Sequence, residues 1–356
     1  MSTPARQLVI LVAVLLMLAA IGGCSTSLTT WARSGAEDET HPVWPPPGQK
    51  PRIVHRQDVY GPPDMGEPGL LDRLVEAIAG PSRQPLVQPQ SIAVGNGRLF
   101  VVDQERQGIH VLKPGTNKGR FIDRVDRSTY FVSPVDVAWC DGMLAVSDSG
   151  LQAVFLLDPA GTLVAQLDKP NGFQRPTGLA FDAARDRLYV VDTRSHEINV
   201  FDLAENSGGA FVETIGNPGS LPGEFHYPTY AAVDGEGRLY VTDSLNFRVQ
   251  ALSPEGRFLF EIGKLGNASG HMAVPKGIGV DRFGHIYVVD SYFSAVQIFD
   301  RQGRLLLSFG EVGDRRGEFA VPTGLLVTAD DLIYVCDTRN SRVQVFEYVG
   351  GPDHDH

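Results

Sequence analysis

Ten residues of this chain combine useful side-chain chemistry with places where an otherwise regular pattern breaks: Asp136, Arg194, His196, His226, Tyr227, Tyr230, His271, Lys276, Tyr292 and Arg339. The imidazoles could bind a metal or move a proton. Lys276, Arg194 and Arg339 could bear a partner by charge, and the tyrosines offer rings with a polar tip. The three histidines lie far apart in sequence, with nothing like the tight H-x-x-x-H spacing of a zinc helix. A nucleophile elbow, a phosphate-binding Gly-rich loop and a paired-Cys motif are all missing from the sequence. Recognition, rather than covalent chemistry, is the first expectation for such a set.

The pattern these residues interrupt is a repeat. In the stretch 275–309 a Pro opens a short apolar strand, a polar turn reverses it, and a second strand stops at Asp290. Two more alternating runs follow, separated by the turn Asp300-Arg301-Gln302-Gly303. Short β-branched and aromatic runs bounded by Gly, Pro and Asp clusters read as a four-stranded antiparallel meander. Equivalent prolines stand at Pro89, Pro134, Pro176, Pro228, Pro275 and Pro322, spaced 45, 42, 52, 47 and 47 residues apart. Each is followed 14 to 16 residues later by an Asp: Asp103, Asp148, Asp192, Asp243, Asp290 and Asp337. One meander cannot bury its own faces. A period in the forties with four strands per unit predicts an all-β, six-bladed β-propeller. Loops entering the first strand and loops linking the second to the third gather on one face, so the ten residues should line a polar funnel there. The six repeated Asp residues are expected to be structural, each carboxylate accepting backbone N–H bonds as an Asx turn does.

The units resemble the NHL repeat. Pro176-Thr177-Gly178-Leu179-Ala180 and the run Asp337-Thr338-Arg339-Asn340-Ser341-Arg342-Val343-Gln344-Val345-Phe346 carry the likeness, which extends over roughly 89–346. Val135-Asp136 and Tyr230 depart from it. The resemblance speaks for the fold and little for activity, since propellers host many functions. Two enzyme families share the architecture. The amidating-lyase type would use metal-binding histidines, for which His226, His271 and His196 are the candidates for Zn. The lactonase type would hold an axial Ca with acids and Asn, toward which only Asp136 points.

The flanks suggest an address. An apolar run from Leu8 to Ala20 follows the single cation Arg6, too short to span a bilayer and right for a signal peptide. Leu18-Ala19-Ala20-Ile21-Gly22-Gly23-Cys24 resembles a bacterial lipobox, which implies cleavage after residue 23 and acylation of Cys24. The expected mature protein is tethered to a membrane by lipid, on the periplasmic side of the outer membrane in a Gram-negative cell, since Ser25 rather than Asp follows the Cys. Residues 24–50, with their Ser, Thr, acidic and Pro-rich stretches, read as a disordered linker. Within 51–88, the run 51–60 resembles a fourth strand, and the sixth repeat lacks one, so the N-terminus is expected to close the ring at blade six. Leu70, Leu71, Leu74, Val75 and Ile78 then share one face of a short amphipathic helix, Glu67 to Ala79. The propeller itself occupies 89–349, and 350–356 is a flexible tail whose Asp and His residues could bind metal adventitiously. Cys140 and Cys336 fall in different blades and are expected as buried free thiols.

Charge narrows the partners. With 31 Lys and Arg against 42 Asp and Glu the chain carries −11, and loss of the signal peptide, which removes Arg6, leaves 30 against 42, or −12. A nucleic-acid partner is therefore not expected, because phosphate binding rests on clustered cations. The sequence points to an envelope protein, peptide or glycan held on the funnel face, with no cofactor assigned. A metal-dependent lyase or hydrolase using Zn or Ca in the same funnel is the rival.

Overall fold

The computed structural model describes residues 41–66, 85–116, 118–204 and 208–350. Six antiparallel sheets stand around an axis, each beginning at one of the repeat prolines. Blade one comprises Pro89–Gly95, Arg98–Asp103, Gly108–Leu112 and Gly119–Ile122, and blades two to five repeat that order. The innermost strands pack side by side, and the last, Pro322–Val327, packs on the first, Pro89–Gly95, so the ring is closed. Strand alternation puts a hydrophobic cluster at each of the six joints between neighbouring blades. The repeated second-strand aromatics Phe100, Tyr189, Tyr240, Tyr287 and Tyr334 are almost wholly buried there. Two of those hydroxyls, on Tyr240 and Tyr287, donate at 3.0 Å to the first-turn acids Asp234 and Asp281, which resolves the polar end of a core ring.

Blade six is completed from the other end of the chain. Strands Pro322–Val327, Leu332–Asp337 and Arg342–Tyr348 are followed outward by Ile53–Val59, paired in antiparallel register from Ile53↔Tyr348 to Val59↔Val343. The ring is thus latched by the N-terminal segment, as the missing fourth strand required. The docked segment begins earlier than the linker boundary at residue 50 implied. Val43–Trp44 forms a fifth strand against Val54 and Ile53. The reason is Trp44, whose ring packs on Phe309 and Phe346 at 5.5 and 5.9 Å between centroids. A single large aromatic was enough to dock a stretch whose Pro-rich composition read as solvated. Cys24, the acylation site expected from the lipobox-like run, the helix expected over Glu67 to Ala79, and the tail beyond residue 350 lie outside the described residues. Cys140 and Cys336 are free and buried, and burial pushes the Cys140 thiol up to about 12.

The repeat signature has a mechanical meaning. Each of the six repeat aspartates is fully buried at the end of its second strand. Each accepts backbone N–H groups from the loop that enters its own blade, as in Val87 and Gln88 to Asp103 at 2.8 and 3.1 Å. Gln174 and Arg175 do the same to Asp192 at 2.8 and 2.7 Å. The residue after the Asp then reaches the next blade. Ser149, Thr193, Ser244, Ser291 and Thr338 donate their hydroxyls to the carbonyls of Pro176, Pro228, Pro275, Pro322 and Pro89. An Asp-Ser or Asp-Thr pair is therefore a clamp on one blade and a staple to its neighbour, which is why the two types travel together. In blades four and six Arg248 and Arg342 add a second tie. Each bonds its Asp at 2.9 and 2.7 Å and donates to carbonyls of the preceding loop, at Leu221 and Glu224 or at Arg315 and Glu318.

Candidate functional site on the axial face

Antiparallel order brings the opening prolines, the repeat aspartates and the loops between blades to one end of the axis. Residues two places after each Pro line the axis itself: Ser91, Asp136, Gly178, Tyr230, Gly277 and Gly324. Glycine holds three of these places because the inner strands approach too closely for a side chain. A Cβ at Gly178 would lie 2.6 Å from the Thr229 carbonyl oxygen, and one at Gly324 would lie 2.5 Å from that of Gln90. Two of the three departures, Ser91 and Asp136, are linked to one another. Ser91 donates its hydroxyl to Asp136 Oδ1, Val137 N–H donates to the same oxygen at 2.9 Å, and Leu179 N–H donates to Oδ2 at 2.7 Å. One carboxylate thus bridges blades one, two and three. Burial pushes it up to about 6, against the opposing pull of those donors.

Tyr230 crosses the axis. Its ring leaves blade four, and its hydroxyl accepts from Gln90 Nε2 of blade one, on the opposite side of the ring, at 2.9 Å. It divides the central channel in two. On the far side lies an inner cavity of about 240 Å3 lined by the inner strands, with Asp136 at its margin. On the loop side lies a mouth of about 300 Å3 walled by Tyr227, Tyr230, Leu245 and Val135 and by the hydroxyl residues Thr177, Thr193, Thr229 and Ser244. Lys276 and Arg175 supply its charge. Burial, and then the neighbouring Arg175 guanidinium, lower the Lys276 ammonium below its ordinary range.

The sequence-selected residues therefore divide into three places. Asp136 and Tyr230 are inside the axis, and Lys276 is at the mouth with Tyr227 on its wall. His196, His226 and Tyr227 form a second cluster on the boundary of blades three and four. The two imidazoles stack at 5.6 Å between centroids, and His196 Nδ1 accepts the Tyr227 N–H at 3.2 Å. Arg194 lies beside His196 in an outer groove with Lys169 and Glu197. His271, Tyr292 and Arg339 stand apart on separate loops, with Tyr292 70% exposed. Arg175, Gln90 and Gln104 sit beside an opening Pro or a repeat Asp, loop positions the repeat marks as of interest, but they are not among the ten residues selected from the sequence.

The donor set does not fit an axial metal. Among the described residues no group of three or more His, Cys, Asp or Glu side chains comes together. At the axis Asp136 is the sole acid of its level, and both its oxygens already accept protein hydrogen bonds, whereas a hard cation needs six or more oxygens. His196 and His226 stack without a third His, Cys, Asp or Glu among the described residues to complete a metal-binding set.

Comparison with known proteins agrees with the architecture. Residues 137–264 match the SMP-30/Gluconolactonase/LRE-like region family, and residues 319–346 match the NHL repeat. Among solved structures the chain is similar to a streptogramin B lyase, at 12% identity and a TM-score of 0.55, over 74% of this chain and 94% of that one. It is also similar to virginiamycin B lyase from Staphylococcus aureus, at 12% identity and a TM-score of 0.54, over 74% and 96%. A third is an auxiliary nutrient binding protein from Bacteroides thetaiotaomicron, at 12% identity and a TM-score of 0.58, over 75% and 70%. Identities this low speak for fold alone. Six closed blades show a six-bladed β-propeller, and the repeat wiring and the two family matches support an NHL-type one.

Proposed function

We propose that the chain is a lipid-tethered envelope protein whose propeller is a non-enzymatic binding module, taking a protein, peptide or glycan partner on the face that carries the axial mouth. The observation that carries this reading is the character of that face. Its interblade loops present Leu221, Leu265 and Val312 at 64%, 62% and 74% exposure on the same face as a mouth holding cations and hydroxyls. Apolar tips on rigidly tied loops, beside groups that can hydrogen-bond, are the makings of a recognition surface. The ties are the Asp clamps and the Arg248 and Arg342 braces, so little conformational entropy remains to be lost on binding. Tethering rests on the lipobox-like run ending at Cys24. The fold likeness to a nutrient-binding protein is compatible with this role.

The test is capture from envelope extract, with the full chain as bait. Reversing Lys276, Arg194 and Arg339 to Glu should abolish co-purification while the melting temperature stays within about two degrees, since none of the three makes an internal ion pair among the described residues. Capture that survives the reversal would remove this face from consideration. Cys24→Ala should yield unprocessed protein that takes up no fatty acid; continued labelling would end the tethering claim. A metal-dependent lyase or hydrolase is the second reading, favoured by the match to the SMP-30/Gluconolactonase/LRE-like region. Stoichiometric Zn or Ca in purified untagged protein truncated before Asp353 would support it over the binding module.

A further inference from the structure

Other buried cations of this protein have acidic partners. Arg342 pairs with Asp337 at 2.7 Å, Arg248 with Asp243 at 2.9 Å, and Lys169 with Glu197. Lys276 does not. It is largely buried at the axial mouth, and among the described residues its ammonium makes no hydrogen bond and no ion pair. Arg175, on the rim of the same mouth, also leaves its guanidinium without a protein partner among the described residues. No Asp or Glu lines the mouth, although acids exceed bases in the chain by 42 to 31. The nearby repeat acids Asp192 and Asp243 point away, their oxygens taken up by loop N–H groups and by Arg248. A charge largely withdrawn from water without a counter-charge is costly, and the fold gains nothing visible by it. The arrangement makes physical sense when an anion completes it.

From this juxtaposition of an unpaired, half-enclosed lysine and an unpaired arginine in an acid-free mouth, we propose that the axial mouth is an oxyanion-binding subsite. It takes a carboxylate or phosphate group of a small ligand, or of a group projecting from a larger one. Lys276 contributes a point charge from below and Arg175 a planar fork from the rim, which suits a group with two or three equivalent oxygens. Tyr227 and Leu245 on the wall would cover an apolar part attached to that group. A mouth of about 300 Å3 admits a small organic acid or the terminus of a chain, and not a folded domain. The inference rests on the binding-module reading and gives its site a chemistry. Because bound anion relieves the strain on the lysine, the ammonium should be restored toward its ordinary basicity on binding, with uptake of protons at alkaline pH.

The experiment is thermal unfolding of the full chain at constant ionic strength with increasing benzoate or inorganic phosphate, chloride serving as the matched salt. The expected result is a saturable rise in melting temperature with at least one of the two probes, and the probe that acts identifies the group. Lys276→Met should weaken apparent binding at least tenfold. The unliganded variant should melt no lower than the parent, since an unpaired buried charge has gone. Should that variant fail to fold, Arg175→Gln at the exposed rim reads the same loss without touching the interior. A saturable shift in neither probe, or one that Lys276→Met or the folded Arg175→Gln variant leaves unchanged, overturns the proposal. Absence of an anion shift together with loss of partner capture on rim charge reversal would refute the subsite alone and leave the binding module standing.

Discussion

Five of the six joints between blades are held at the axial face by one device, and the joint between blades one and two by another. Where a Ser or Thr follows the repeat Asp, its hydroxyl staples the opening Pro carbonyl of the next blade. Blade one has Gln104 at that place, and the Gln reaches only Ser133 Oγ, at 3.4 Å. There the connection moves inward, to Ser91 on Asp136 and Asp136 on Leu179. A hydroxyl-to-carbonyl bond is neutral and indifferent to pH. A buried carboxylate is neither. The same topology therefore carries pH-indifferent hydroxyl staples at five joints, while the joint between blades one and two depends on a carboxylate, which also reaches Leu179 of blade three. Gln90 and Gln104 of that joint also line the mouth proposed to bind a partner.

The largest expected effect tests that distinction through pH. Asp136 has a folded-state value raised to about 6 from 3.8, so the folded protein holds this proton more tightly than the unfolded chain does. The associated penalty is absent below 3.8, grows as pH rises through the window, and is fully present above 6. Relative to Asp136→Asn, the parent should gain about 2 kcal/mol as pH falls from near 7 to near 4, an order-of-magnitude figure from the shift itself. Chemical denaturation of both proteins at several pH values measures it; parallel curves would show that the carboxylate is not buried as described. Carboxylates whose values are lowered, such as Asp58 with His55, Arg342 and Arg316 about it, act in the opposite sense and cancel in this difference.

A smaller effect comes from breaking a hydroxyl staple. Thr338→Val removes the bond to the Pro89 carbonyl, 2.8 Å long, at the joint that closes the ring. The loss should be about 1 kcal/mol and the same at pH 5 and pH 8. A cost that varied with pH would erase the contrast between the two kinds of joint. The smallest effect sharpens the comparison by transplanting the device. Gln104→Thr places a hydroxyl where the other five blades have one, and should raise stability by about 0.5 kcal/mol. No gain, with the hydroxyl confirmed in place crystallographically, would mean that the staples are a consequence of the ring and contribute little to it.

These distinctions bear on what the chain discloses before it folds. Blade number, strand order and the borrowed outer strand were legible because each follows from local pattern and from a count, Pro to Asp to the alternating third strand. The structural part of the six aspartates was also readable, since an Asp before a polar residue, Ser or Thr in five of the six, favours a turn. What could not be read was adjacency across blades. Tyr230 and Gln90 are 140 residues apart and meet over the axis, and nothing in either neighbourhood announces it. Asp136 looked like a funnel residue because it stood where Gly is usual. The break in pattern was real, but its cause was a bond to Ser91 and Leu179 inside the ring. Arg175 shows the converse. Just before an opening Pro it resembled any solvated loop residue, and it became a candidate only once blades three and five placed it near Lys276. Trp44 similarly outweighed the Pro-rich composition around it through contacts with Phe309 and Phe346, 265 and 302 residues away in sequence.

The central claim, that one end of the axis is where a partner is held, is most directly tested by hydrogen–deuterium exchange on the full chain with and without the protein or peptide captured from envelope extract. The account predicts new protection in the interblade loops 216–228, 263–275 and 310–322 and in the segments around Arg175 and Lys276, with the turns at the opposite end unchanged. Protection confined to those opposite turns, or to the outer strands of the blades, would contradict it.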